Sequence, residues 1–374
     1  MSWAAFWLAA SLVAYTYGGY ACWLRLRLLW RYCPVRRGPI TPFVSIVMVV
    51  RNEEQILDRK LQNLRSLDYP ADRYEIVIVS DGSTDRTEEI LRKYAGDSRV
   101  QVILNQLPKG KASGLNDAMQ LAQGDLVLFT DARQSIEPLA MRLLAENFAD
   151  PDVGCASGEL MLGDPLNGES GQGLGLYWRV EKRIREMESA TGSVVGATGA
   201  LYAARTELLT SVPDGTILDD VYLPMQIVRQ GKRVIFDERA RAWDQPNLGA
   251  GREFSRKVRT LGGNYQLLQL APWLLSGRNP IRFEFVSHKL LRLTVPVALA
   301  ALLVIPLVLK SPFYKLVFVA QVIFYALSLI SLGRLAGRGV LARIADAAGT
   351  FVLLNGAAVV AFANFIAGKR TAWR

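Results

Sequence analysis

Four short apolar runs constrain this chain more than any other feature: FVSIVMVV (43–50), YEIVIVS (74–80), RVQVIL (99–104) and DLVLFT (125–130). Each has the length and the Val/Ile content of a strand buried on both faces. Between them, residues 53–67 and 109–122 carry apolar positions at helical spacing, and Asp85 with Glu88 reads as a capping box opening a further helix. Strands alternating with helices predict a parallel arrangement with right-handed crossovers. Ligands of such sheets sit at the C-terminal ends of the strands. Arg51, Asn52, Asp81 and Asp131 all fall there.

The familiar nucleotide loops are missing. The first strand ends in VVRNEE, with no GxGxxG, and the glycines at 171, 173 and 175 follow no predicted strand. Gly110-Lys111-Ala112 lacks the upstream glycine and the hydroxyl of a P-loop. His288 is the only histidine, which argues against Ser-His-Asp and Cys-His catalysis and reads as an interfacial residue beside Lys289. Three cysteines without a CxxC pair indicate neither a disulfide framework nor a zinc cluster. The net charge of +10 suits anionic lipid, phosphorylated ligands or nucleic acid. The positives cluster beside apolar spans and no aromatic-basic platform accompanies them, so nucleic acid is not expected as a partner.

Both ends are apolar. Residues 1–24 predict a retained N-terminal transmembrane helix, because the arginines at 25, 27, 31, 36 and 37 follow the run instead of preceding it. The same charges place the next domain in the cytoplasm. Residues 290–368 predict a C-terminal membrane region. It has spans near 293–309 and 316–332 joined by the short KSPFYK linker, and a third, Ala- and Gly-rich, near 347–367. If that third segment crosses, Lys369, Arg370 and Arg374 lie outside, against the positive-inside rule. Residues 251–285 mix basic and apolar positions and predict helices in the membrane interface.

The segments VSIVMVVRNEE, IVIVSDGSTDRT, KGKASGLNDAM, LVLFTDARQ, GATGALYAAR and ILDDVYLPMQIVRQG, in that order, resemble the successive motifs of family 2 glycosyltransferases. The resemblance covers about 41–260. It implies an α/β fold of the GT-A type, a mixed sheet with helices on both faces, here forming a cytoplasmic domain over 41–250 with transmembrane helices at both ends. It also implies inverting transfer from a UDP-sugar. Carried over by position, Asp81 would read the uracil edge and Val50, Arg51, Asn52 and Glu53 would line the base. Lys111 would help hold the nucleotide, and Asp131 would contact the diphosphate and a Mg2+ or Mn2+ ion. Asp220, in the Asp219-Asp220 pair, would be the catalytic base. Trp178, Gly199 and Ala200 would lie on the acceptor side. In-line displacement at an anomeric carbon needs a carboxylate to take the acceptor's proton and cations to neutralise the departing diphosphate. On local pattern alone, Asp219-Asp220 also suits a helix N-terminus, Asp81 a turn before Gly82, and Lys111 a solvated helix start.

Two departures matter. Arg133 stands where the family's DxD motif has its second acid, leaving Asp131 to hold a metal with the substrate, or Arg133 to pair with phosphate or with Glu137. At 256–260 the polymerising members' QxxRW reads RKVRT: Arg256 and Arg259 remain to clamp a diphosphate, but the stacking Trp is gone. The expectation is a multi-pass protein of a bacterial inner membrane with a membrane lipid or growing polysaccharide as acceptor. Cell-envelope or extracellular polysaccharide ranks slightly ahead of glycolipid, and an oligomer is one route to a polymer channel. The rival from another class is a non-catalytic membrane scaffold with a nucleotide-binding fold.

Overall fold

The computed structural model describes residues 1–164, 168–169, 175–244, 250–332 and 340–369. Gly171, Gly173, Arg334, Arg338, Arg370 and Arg374 lie outside them. The N-terminal helix runs as α1 (Ser2–Ala14), a π-helical turn (Tyr15–Gly19) and α2 (Tyr20–Arg27). The domain follows with β1 (Val44–Val50), α3 (Leu57–Arg65), β2 (Tyr74–Asp81), α4 (Thr87–Tyr94), β3 (Val100–Asn105), α5 (Lys111–Leu121) and β4 (Leu126–Phe129). All four predicted strands form within a residue or so of their expected ends. The helix expected from 53 begins only at Leu57, because Glu53 and Glu54 donate backbone N–H groups to Thr87 and Asp85 of the neighbouring loop. Asp85 accepts from Thr87 N–H at 2.9 Å, two residues on, instead of completing the expected box with Glu88.

Beyond β4 the chain forms β5 (Ser135–Ile136), α6 (Ala140–Glu146), β6 (Val153–Asp164), β7 (Gly168–Glu169), α7 (Gly175–Thr191), β8 (Tyr202–Arg205), α8 (Asp219–Arg229) and β9 (Arg233–Asp244). The sheet order is β3-β2-β1-β4-β8-β6-β9-β5, with β7 on β6. The first four strands are parallel, while β8 pairs antiparallel with β4 and with β6. The result is the mixed sheet expected. Strand β1 alternates between two cores. Ile46, Met48 and Val50 enter one with α3 and α6, while Val47 and Val49 enter the other with α5 and α8. The order reverses between β1 and β4, so the strand ends diverge there and open a crevice.

After the sheet come α9 (Ala250–Leu270), a 3-10 turn (Pro272–Leu275), α10 (Arg282–Phe285), α11 (Leu291–Val304), α12 (Pro312–Leu332) and α13 (Val340–Ile366). Among the described residues three helices are long and apolar enough to cross a membrane: 282–307, 312–331 and 342–366. All three are C-terminal. The N-terminal helix packs against them: Phe6 contacts Tyr314 edge-on at 4.9 Å, and Tyr15 Oη lies 2.9 Å from Ser287 Oγ.

The turn after β2 tests the backbone argument. Gly82 has φ +62°, and a Cβ there would sit 2.5 Å from Pro108 N. Gly82→Ala is expected to destabilise the domain by about 2 kcal/mol, read as a fall in Tm of several degrees.

Candidate active site

The crevice is a cavity of about 810 Å³ lined by Arg51, Glu53, Lys111, Asp131, Arg133 and Asp219, with Arg256 and Arg259 on α9. Lys111 organises it. The helix α5 starts after Gly110, whose φ is +94°, and this turn aims the lysine back over the sheet. Its Nζ lies 3.1 Å from Asp131 Oδ1 and 3.3 Å from Asp219 Oδ2. Burial disfavours its charge, but Asp131, Asp219 and Asp220 outweigh that and hold its pKa above the ordinary lysine value. Asp131 keeps 42% side-chain exposure, facing the cavity with an oxygen to spare.

The acidic pair divides. Asp219 turns to the cavity and Lys111, while Asp220 Oδ2 accepts the Gly199 N–H at 3.1 Å. A side chain at Gly199 would place Cβ 3.1 Å from that oxygen. Burial first, then the Asp219 charge, push the Asp220 carboxyl up to about 6, with Lys111 partly offsetting them. Pro224 contributes from within α8. Lacking an N–H, it leaves the Asp220 carbonyl free, and that carbonyl accepts Ala197 N–H at 2.7 Å. The loop over 197–199 is thus pinned twice to Asp220.

Other expected residues are placed differently. Asp81 is fully buried, and its two oxygens accept the N–H groups of Lys109 (2.7 Å) and Gly110 (2.9 Å). It shapes the turn that presents Lys111 and does not line the cavity. Val50 faces the core. Asn52, with φ +55°, accepts Thr84 N–H at 2.8 Å and ties the first two strand loops together. Trp178, Gly199 and Ala200 lie outside the cavity lining. Ala200 carbonyl accepts from Thr130, and Lys257 sits 5.4 Å from the Trp178 ring centre.

Arg133 does not pair with Glu137, which instead accepts from Trp243 Nε1 at 2.7 Å. It binds Asp244 Oδ2 at 2.7 Å, and Arg256 approaches the same oxygen at 3.7 Å. Arg133 is thus neutralised by an acid at the end of β9. Sequence reasoning missed Asp244. It also missed Lys60, whose buried Nζ donates to Thr130 Oγ1 (2.9 Å) and Gln134 O (2.7 Å) beneath the Asp131 loop. Burial lowers Lys60 to about 7, partly countered by Asp131. Its position three residues after Leu57 and four before Leu64, on the apolar face, was the available signal. His288 is buried between Glu188 and Glu181, at 2.8 Å from each, outside the cavity lining.

Residues 45–210 match the model of glycosyl transferase family 2, and the chain carries a glycosyltransferase family 2 domain. The beta-monoglucosyldiacylglycerol synthase of Synechocystis is 27% identical over 192 residues, which are 50% of this chain and 40% of that one. The poly-beta-1,6-N-acetyl-D-glucosamine synthase of Staphylococcus aureus is 24% identical over 234 residues, 60% of this chain and 55% of its own. The chain thus spans about half the length of the curated relatives it matches. The mannosyltransferase PcManGT of Pyrobaculum calidifontis, solved with GDP-Man and Mn2+, superposes with a TM-score of 0.74 at 22% identity. That match covers 98% of this chain and 99% of PcManGT, and it shows that the fold is shared.

Ionising Asp220 inside the protein costs stability. Its folded pKa, about 6, lies above the ordinary 3.8. The folded state binds the proton more tightly, so stability falls as pH rises from about 4 through 6. Asp220→Asn removes that cost. The variant should be more stable than the parent above pH 6, by on the order of 1–3 kcal/mol, with the gap closing near pH 4 in denaturant titrations.

Proposed function

We propose that this chain is an inverting glycosyltransferase that moves a sugar from a nucleotide diphosphate-sugar, in first place a UDP-sugar, to a membrane-associated acceptor. The observation that carries this is the division of labour around Lys111. Asp131 and Asp219 face the cavity through that lysine, whereas Asp220 faces the Gly199 loop with a pKa of about 6. A carboxylate poised near neutrality suits general-base removal of a hydroxyl proton. Arg256, Arg259 and Lys111 line the space where a departing diphosphate needs positive charge. Asp131 offers one exposed hard oxygen, and a Mg2+ or Mn2+ ion is commonly completed by one or two carboxylates plus substrate phosphates. Asp131 would hold such an ion, which would supply positive charge to the departing diphosphate.

The same reading places the chain in the cytoplasmic membrane of a bacterium, with the N-terminal helix alongside the C-terminal ones and the catalytic domain on the cytoplasmic side. The names of the relatives cover both acceptor classes, a glycolipid and a polysaccharide. One observation favours a lipid acceptor and single addition: the RKVRT segment puts Thr260, not an aromatic platform, after Arg259.

Purified protein in nanodiscs, given labelled UDP- and GDP-sugars and native lipid, separates the readings by partition of the label. Label in the organic phase, saturating at one sugar per acceptor, marks a glycolipid enzyme; label in a large polymer marks a polysaccharide synthase. With no transfer and no sugar-dependent nucleotide release from any donor, the enzymatic reading fails. Asp220→Asn should lower kcat at least 10³-fold while leaving nucleotide affinity within about twofold. In the parent, kcat/KM should rise with pH through about 6. Excess EDTA should abolish transfer, and full activity in EDTA would remove the metal from this scheme.

A further inference from the structure

Part of the cavity wall comes from the far end of the chain. Ala361, Asn364, Phe365, Gly368 and Lys369 line the same space as Lys111 and Asp131. The C-terminal half of α13 is held there by α9. Val258 packs on Ala357 and Ala361, which are fully buried, and Tyr265 stacks on Phe365 at 5.1 Å between ring centres. The helix then stops. Gly368, at φ +64°, donates to Phe365 O, and Lys369 N–H donates to Asn364 O at 3.0 Å. This is the paired closing pattern of a glycine-terminated helix.

The path of the other helices fixes what this means for topology. The start of α11 lies at the domain, where Arg292 donates to Glu181 of α7 at 2.8 Å. A short linker turns α11 back into α12, so α12 starts far from the domain, with Phe313 against Trp7 near the chain start. From there it runs back antiparallel in depth to α11, with Gln321 donating to Leu299 O at 3.2 Å, and near its end Ser331 bonds Asp346 at the head of α13 at 2.8 Å. A hairpin that crosses twice returns the chain to the domain's side before α13 begins, and the far end of α13 lines the domain's cavity. Asn355, in mid-helix, bonds Tyr17 Oη at 3.0 Å. More of α13 is buried against protein than of α12, 28% against 11%. On this path Lys369 stays on the side where the positive-inside rule puts it.

We propose that α13 does not cross the membrane. It returns to the domain, its C-terminal turn closes the donor cavity, and Lys369 adds a cation for the donor diphosphate. The role of Lys369 rests on the nucleotide-sugar reading above; the path of the helix does not.

The test uses the full chain with Cys22 and Cys33 replaced by Ser, Cys155 being buried. Lys369→Cys is labelled with an impermeant maleimide in intact spheroplasts and in inverted vesicles. Asp72→Cys, exposed on the domain, gives the reference side. Labelling of both thiols from one side is expected, and labelling of the Lys369→Cys thiol only from the opposite side overturns the proposal. Whichever of UDP and GDP binds the parent protein, with Mn2+, should slow modification at 369 about fivefold or more and leave 72 unaffected. Lys369→Ala should raise the donor KM about 3- to 10-fold with kcat within twofold. A parent that binds nucleotide, with neither protection nor a KM change, overturns the cavity-closing role. Were the parent to bind no nucleotide, the donor reading would fall, and the labelled side would still decide the path of α13.

Discussion

Three carboxylates meet where the sheet changes direction, and a single ammonium makes that meeting tolerable. Asp131 comes from the end of β4, and Asp219 and Asp220 from the start of α8. Without Lys111 between the first two, like charges in a half-buried crevice would repel one another or take up protons. Asp81, fully buried behind the site, fixes the turn that aims the lysine. The lysine fixes the spacing of Asp131 and Asp219. Asp219 in turn raises its neighbour Asp220. The electrostatics of Asp220 is therefore set several steps away, at the end of β2.

Much of this was legible in the sequence, for identifiable reasons. Strands buried on both faces declare themselves as unbroken apolar runs, so β1 to β4 were read nearly to the residue. Asp81 and Asp131 stood out because they punctuate those runs, whereas Lys111, Asp219 and Asp220 were singled out through the family resemblance. What stayed hidden was pairing over long separations. Arg133 and Asp244 are 111 residues apart, and nothing in DARQ says that its arginine will be neutralised from the end of another strand. The sequence reading gave Asp219 no role apart from its pairing with Asp220. On a helix adjacent side chains point about 100° apart, so only one of them faces the cavity. The antiparallel half of the sheet was not read strand by strand, since β8 and β5 are too short to show a period of two.

Conversely, some residues with a suggestive position are engaged with backbone. Asp81 and Asn52 spend their polar groups on backbone in neighbouring loops. The effect is to make the loops after β1, β2 and β3 one stitched unit, with few of their polar side chains left unpaired. Discrimination between bases, if it occurs in this cavity, then falls to Arg51, Glu53 and the backbone around Gly110.

The junction between domain and membrane helices is a buried polar chain. Tyr20 donates to Glu188, His288 lies between Glu188 and Glu181, and Arg292 donates to Glu181. Its members come from three segments, with Tyr20 and Glu188 separated by 168 residues and Glu188 and His288 by 100. A partly assembled version is costly, since each missing partner strands a buried charge or donor. During synthesis the N-terminal helix emerges long before residues 288–292. Until then Glu181 and Glu188 have no cations from that quarter. The order of synthesis therefore bears on this junction: the two glutamates of α7 are fully partnered only once residues 288–292, made about a hundred residues later, are in place beside them.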